Sequence, residues 1–131
     1  MMLFLDTSDP EQTSLFLLDK SVIRAHIFPS QRNQSEKLTP AIKKFLKKYK
    51  VALNKVDSIG VVTGPGFFSR LRTGVVTANA LAYALQIPVV GVKKLGTGIN
   101  FSAVMKEKGR ESVEVYYDRA PNITKPKVSK K

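Results

Sequence analysis

The stretch Thr63-Gly64-Pro65-Gly66-Phe67-Phe68-Ser69 combines residue types suited to holding an anion. It joins the run Val56 to Thr63, continuously apolar through Ile59-Gly60-Val61-Val62, to a helical pattern that Ser69 can cap. A glycine-rich turn at such a junction aims backbone N–H groups and the positive end of the helix dipole at one point, which makes Gly64 and Gly66 candidate phosphate contacts. The competing reading is conformational: Gly64 and Gly66 permit a sharp turn and Pro65 stiffens it. Neither Gly-Lys-Ser/Thr nor Gly-x-Gly-x-x-Gly is present. Asp6, ending the first apolar run, is a second candidate, as a carboxylate organising metal and phosphate or as a partner for the turn amides after it. A two-metal nuclease needs several converging carboxylates. Asp57 starts its strand while Asp6 ends its own, and Asp9, Glu11, Asp19 and Glu36 fall in loops or at a helix start, so the hydrolase reading fails on placement.

The other reactive residue types are sparse. His26 is the only histidine and has no metal-type ligand at useful spacing, so it reads as structural or surface. Ser69 lacks a histidine partner for a nucleophilic triad. With no cysteine, thiolate zinc sites, iron–sulfur clusters, disulfide scaffolds and a cysteine nucleophile are excluded. The expectation is no catalytic residue, no metal and no cofactor, with Asp6, Gly64 and Gly66 as weak cofactor-binding candidates.

The elements that position these residues follow from periodicity. Met2 to Thr7, Thr13 to Leu18 and Val22 to Phe28 are β-type runs separated by turns, an antiparallel meander. Between Ser35 and Lys50, Leu38, Ala41/Ile42, Phe45/Leu46 and Tyr49 recur at helical spacing. Pro40 dissents, and Thr39 as cap with Pro40 in the first turn resolves this by shortening the helix. Val56 to Thr63 predicts a buried strand, Ser69 to Gln86 a helix, and Val89 to Val92 a parallel strand after Ile87-Pro88. The order β-β-β-α-β-α-β is the ribonuclease H-like topology of the actin-like ATPase superfamily, an α/β fold, with right-handed crossovers. A weak third helix over Leu95 to Lys108 and a last strand over Ser112 to Tyr117 complete a short C-terminal segment.

Two surfaces carry the interaction signal. The second helix is apolar nearly all round, more than one sheet can cover. Gly74, Ala78 and Ala82 recur every four residues, a ridge that admits another helix closely. With Thr77 and Leu81, and with Leu38 and Ile42 of the first helix, they form the expected partner interface; the alternative is an internal layer from residues 95–108. On the first helix Lys43, Lys44, Lys47 and Lys48 form a basic face for RNA or an acidic partner, or simply a solvated one. The 131 residues carry 22 Lys+Arg against 10 Asp+Glu, a net charge of +12, which favours an anionic partner. No apolar run approaches the roughly 20 residues of a membrane span, and Met1-Met2-Leu3-Phe4-Leu5-Asp6 lacks the basic start of a signal peptide. A cytoplasmic location is expected.

Four segments together resemble a known family: Leu3-Phe4-Leu5-Asp6-Thr7-Ser8; Gln34-Ser35-Glu36-Lys37-Leu38-Thr39-Pro40; Val56 through Gly74 with its Gly-Pro-Gly-x-Phe-x-x-Leu-Arg-x-Gly pattern; and Leu81 through Val92. They are similar, in order over about residues 2 to 95, to the N-terminal half of the bacterial TsaB (YeaZ-like, glycoprotease-like domain) family of tRNA threonylcarbamoyladenosine biosynthesis. Tyr117 to Thr124 resembles that family's C-terminal tail. The resemblance accounts for Pro40, which the family carries in its first helix. This chain departs from the pattern at Gln34-Ser35-Glu36, where the family has His-Ser-Glu, and at Phe67-Phe68-Ser69-Arg70, where it has Ser-Phe-Thr-Gly. It departs most in having Leu95 to Gly109 where the family has a second ribonuclease H-like half, so a complete two-domain nucleotide cleft is not expected. The division implied is 1–95 as the TsaB N-terminal-type domain, 96–120 as a vestigial replacement of the second half, and 121–131 as a basic flexible tail.

The resemblance implies a non-catalytic scaffold subunit that pairs with a TsaD-like catalytic paralogue through the two helices. The implied assembly reaches a TsaE-like ATPase through the complex and tRNA indirectly, and homodimerisation is open. The alternative is a small basic nucleic-acid module without catalysis, although few aromatics interleave its basic residues. An independent nucleotide binder using Asp6 and the Gly64-Pro65-Gly66 loop is a third, weaker reading.

Overall fold

The computed structural model describes residues 1–20, 22–94, 96 and 98–116. The tail motif at Tyr117 to Thr124 and the basic tail 121–131 lie outside the described residues. Strands β1 (Met2–Asp6), β2 (Gln12–Asp19) and β3 (Val22–Pro29) form the expected antiparallel meander, and β4 (Ser58–Gly64) and β5 (Val89–Lys93) add in parallel beyond β1. The resulting sheet has the order β3-β2-β1-β4-β5. Its central strands are apolar on both sides, as strands covered on two faces must be.

Helices α1 (Gln34–Lys48) and α2 (Phe68–Leu85) lie on one face. They bury Leu38, Ile42, Phe45, Val75, Ala78 and Ala82 against Leu3, Leu5, Leu15, Leu17, Ile59 and Val61. The short helix α3 (Phe101–Lys106) lies on the other, where Val104 joins Met2, Phe4, Leu18, Val62 and Val90. Phe101 packs edge-on to Phe4 at 5.5 Å and tilted on Phe16 at 4.7 Å between ring centroids. Phe101, Val104 and Met105 are thus part of the core on that face of the sheet.

Several boundaries differ from expectation. The first helix does not begin at Pro40: it begins at Gln34 and carries Pro40 inside, where the ladder loses a single N–H donor. Phe67, not Ser69, occupies the N-cap position of α2, with no side-chain cap bond. Residues 112–116 form no strand. They run alongside α2 and β4 instead, through a Tyr116 N–H bond to the Thr63 carbonyl (2.8 Å) and a reciprocal pair in which Asn79 Nδ2 donates to the Val113 carbonyl (2.9 Å) and Val113 N–H to Asn79 Oδ1 (3.0 Å). Within 95–108, the alternative cover for α2, helix α3 packs on the opposite face of the sheet.

Candidate functional site

The outward side of α1 and α2 forms an open apolar groove of about 540 Å³. Ile42 and Leu46 of α1, Val51 and Leu53 of the following loop, and Val76, Thr77, Ala80 and Leu81 of α2 supply its floor and sides, with Lys43 and Lys47 on its rim. Val76 is 56% exposed and Tyr83, further along α2, 76%. The α1 periodicity places its lysines outward: Lys43, Lys44, Lys47 and Lys48 are all exposed while Leu38, Ile42, Phe45 and Leu46 are buried. The groove has the character of a helix-receiving surface, an apolar strip bordered by cations.

The interface expected from sequence divides in two here. Ile42, Thr77 and Leu81 line the groove. Gly74, Ala78, Ala82 and Leu38 do not: Ala78 and Leu38 are fully buried, and a Cβ on Gly74 would collide with Thr7 of the β1 end. The ridge of small residues brings α2 close to its own sheet rather than to another helix. A four-residue spacing specifies a ridge but not which way it faces. Val51, Leu53, Val76 and Ala80 also line the groove; the readable signal for the two on α2 was the helix's apolar character nearly all round, which one sheet cannot cover.

The Asp6 turn is already occupied by this chain's own groups. Asp6 is buried, and one carboxylate oxygen accepts from Ser8 N–H at 2.9 Å and Ser8 Oγ at 2.6 Å. Its other oxygen pairs with Lys94 Nζ at 2.9 Å, and the Lys94 N–H bonds the Gly64 carbonyl. The turn-partner reading of Asp6 accounts for the first pair of bonds; Lys94, just past the end of β5 and two strands away, carried no sequence signal. Gly64 has φ +150°, and a Cβ there would press on the Tyr116 carbonyl, so the backbone conformation and the close approach both favour glycine at this position. Gly66 lies against Ser8, which closes the loop over the Asp6 turn. Among the described residues no three His, Cys, Asp or Glu side chains converge as a metal site. His26 stacks near Phe28 and Phe45, 5.6 and 6.1 Å between centroids, a structural placement.

Arg70 is the main polar clamp. Its Nε donates to the Asp9 carbonyl at 2.7 Å, Nη1 to the Ser30 carbonyl at 2.8 Å, and Nη2 to Ser30 Oγ at 2.8 Å. Burial lowers its pKa from the usual guanidinium value and the Asp9 charge opposes that shift. Ser30 Oγ is bonded in turn to Thr13 Oγ1 (2.7 Å), which accepts from Gln34 Nε2 (2.8 Å). Gln34 and Arg70 are therefore two ends of one network.

A family model described as "TsaD: tRNA N6-adenosine threonylcarbamoyltransferase" matches residues 23–112, well over half of the chain. Among curated proteins the chain is 32% identical over 96 residues to the tRNA threonylcarbamoyladenosine biosynthesis protein TsaB of Bacillus subtilis, covering 73% of this chain and 42% of that protein. It is 30% identical over 115 residues to the tRNA N6-adenosine threonylcarbamoyltransferase of Geotalea uraniireducens, covering 76% of this chain and 34% of that protein. Among solved structures, YeaZ from Pseudomonas aeruginosa superposes with a TM-score of 0.66 at 36% identity, over 70% of this chain and 43% of that one. The chain spans less than half the length of each of these relatives. The shared fold, the Gly-Pro-Gly turn and the sequence match agree: the chain belongs to the TsaD/TsaB (YeaZ-like) family and has its ribonuclease H-like fold.

Proposed function

We propose that this chain serves tRNA N6-threonylcarbamoyladenosine biosynthesis in the cytoplasm as a non-catalytic subunit. In this reading the α1/α2 groove receives an amphipathic helix of a TsaD-like paralogue. The groove carries the reading, because among the described residues it is an open apolar surface between the two long helices that neither the sheet nor α3 covers. Lys43 and Lys47 on its rim select a helix whose apolar strip is flanked by acidic side chains. A non-catalytic role accords with Asp6, whose carboxylate oxygens are taken by Ser8 and Lys94. A TsaE-like ATPase and tRNA are reached through the assembled complex. The test is sedimentation with the TsaD-like protein of the same source: Val76→Asp, at an exposed position, should weaken association at least about tenfold. Unchanged association removes the groove from the interface.

The exposed Lys43, Lys44, Lys47 and Lys48 support a second reading, direct contact with tRNA. Gel shifts at two salt concentrations decide it, since a phosphate-binding face loses affinity steeply as salt rises. Absence of binding at low salt ends that reading.

A further inference from the structure

Strand β3 is an edge of the sheet, and among the described residues nothing pairs with its outer side. It is eight residues long, continuously registered with β2 from Asp19↔Val22 to Gln12↔Pro29 without a bulge. Lysine, other charges and proline normally blunt an edge against pairing. β3 has no lysine, its one proline, Pro29, is its last residue, and its one arginine, Arg24, is drawn over the Tyr49 ring. Its side chains are also under-covered. Leu18↔Ile23, Phe16↔Ala25 and Ser14↔Ile27 place Ile23, Ala25 and Ile27 on the α3 face. Helix α3 stops over Phe4 and Phe16, leaving Ile23 51% and Ile27 54% exposed.

The sequence of this edge reads nearly the same from both ends: Val22-Ile23-Arg24-Ala25-His26-Ile27-Phe28 is symmetric in residue class about Ala25. An antiparallel pair with a two-fold axis at Ala25 sets Ile23 against Ile27, Val22 against Phe28 and Arg24 against His26, each twice. A two-fold interface needs this kind of self-complementarity, and a strand built to receive an unrelated peptide does not. We propose that β3 pairs antiparallel with β3 of a second copy of this chain, in the register centred on Ala25, joining two five-stranded sheets into one. The apolar ladder Ile23–Ile27, Ala25–Ala25, Ile27–Ile23 then runs along the face that α3 leaves open. Arg24, which sits over the Tyr49 ring at 4.7 Å, and His26 occupy the other face. This surface is separate from the α1/α2 groove, so the two proposals fail independently.

The chain has no cysteine, so a single introduced thiol reports the register cleanly. In Ala25→Cys the two thiols face each other across the axis, with Cα atoms about 4.5–5.5 Å apart, inside disulfide reach. In Val22→Cys the two copies lie six residues out of register, roughly 20 Å apart. Mild oxidation of the full chain should cross-link Ala25→Cys at least about tenfold faster than Val22→Cys. Sedimentation should show a dimer that Ile27→Lys weakens by about tenfold, because one substitution spoils two ladder contacts; Ile27 is exposed enough that folding is not at stake. With +12 on each copy, the association should tighten as salt rises. A chain that stays monomeric to about 100 µM, equal cross-linking of the two thiols, or a dimer insensitive to Ile27→Lys each overturns the pairing.

Discussion

The same substitution placed two residues apart on α2 should have opposite consequences. Ala78 is fully buried among Leu3, Leu5, Val61 and Val75, whereas Ala80 is exposed in the groove. Ala78→Arg forces a guanidinium into a site without a partner, at an effective cost of several kcal/mol. Overpacking against the sheet adds about 1–3 kcal/mol. The sum, about 5 kcal/mol, rivals the whole stability of a domain this size, ~5–15 kcal/mol. Ala80→Arg adds only a solvated cation near Lys43 and Lys47, a surface change within about 0.5 kcal/mol. Urea unfolding followed by far-ultraviolet circular dichroism separates the two. With a slope of ~1–3 kcal/mol/M, Ala78→Arg should lower the midpoint by at least about 1.5 M or leave no folded baseline. Ala80→Arg should move it by no more than about 0.5 M while weakening binding of the TsaD-like partner. If Ala78→Arg folds normally and loses only partner binding, the small-residue ridge faces outward and α2 cannot pack on the sheet through Gly74, Ala78 and Ala82.

Three further outcomes follow from the polar contacts. Arg70→Met strands the Asp9 and Ser30 carbonyls, while Ser30 Oγ keeps its bond to Thr13, so it should cost about 2–4 kcal/mol in denaturant unfolding, with Arg70→Lys recovering part of the loss. A change below about 0.5 kcal/mol means that water replaces the guanidinium without loss. Asn79→Ala removes both bonds to Val113 and should cost about 1–2 kcal/mol; hydrogen exchange at the Val113 amide should accelerate at least as much as global unfolding, and an unaltered rate contradicts the clamp. Calorimetric titration of ATP with magnesium into the full chain should give no saturable heat, because Lys94 and Ser8 already hold the Asp6 carboxylate. Tight binding would restore the nucleotide reading.

The strand order, both long helices and their lysine-rich and apolar sides were legible, because period-2 and period-3.6 patterns and the Ile87-Pro88 break are local signals. What escaped was set by contacts across the fold. Pro40 reads as a helix start because local chemistry favours that, yet Gln34, bonded to Thr13 far along the chain, extends the helix a full turn and more ahead of it. Residues 112–116 alternate like a strand, Val113 and Val115 included, but Asn79 takes the main-chain groups of Val113 that a neighbouring strand would need. Lys94 is one lysine among many until the sheet order puts the ends of β1 and β5 on either side of β4. The family motif found the Gly-Pro-Gly turn and said nothing of what fills it.

Salt discriminates among the three associations that the positive charge and the exposed surfaces suggest. Contact of Lys43, Lys44, Lys47 and Lys48 with tRNA releases counterions, so its affinity falls as salt rises. Docking of an acid-flanked helix in the groove weakens less, because the apolar strip supplies most of the affinity and only the rim lysines are screened. Pairing of β3 with a second β3 runs the other way, since two +12 chains repel until salt screens them over a Debye length of ~10 Å at 0.1 M. One salt series, read by sedimentation for the chain alone, with the TsaD-like protein and with tRNA, therefore assigns a different slope to each surface. A homodimer that dissociates as salt rises cannot be the β3 pair, and a protein complex with the slope of RNA binding is held by the lysines rather than by Val76, Ala80 and Leu81.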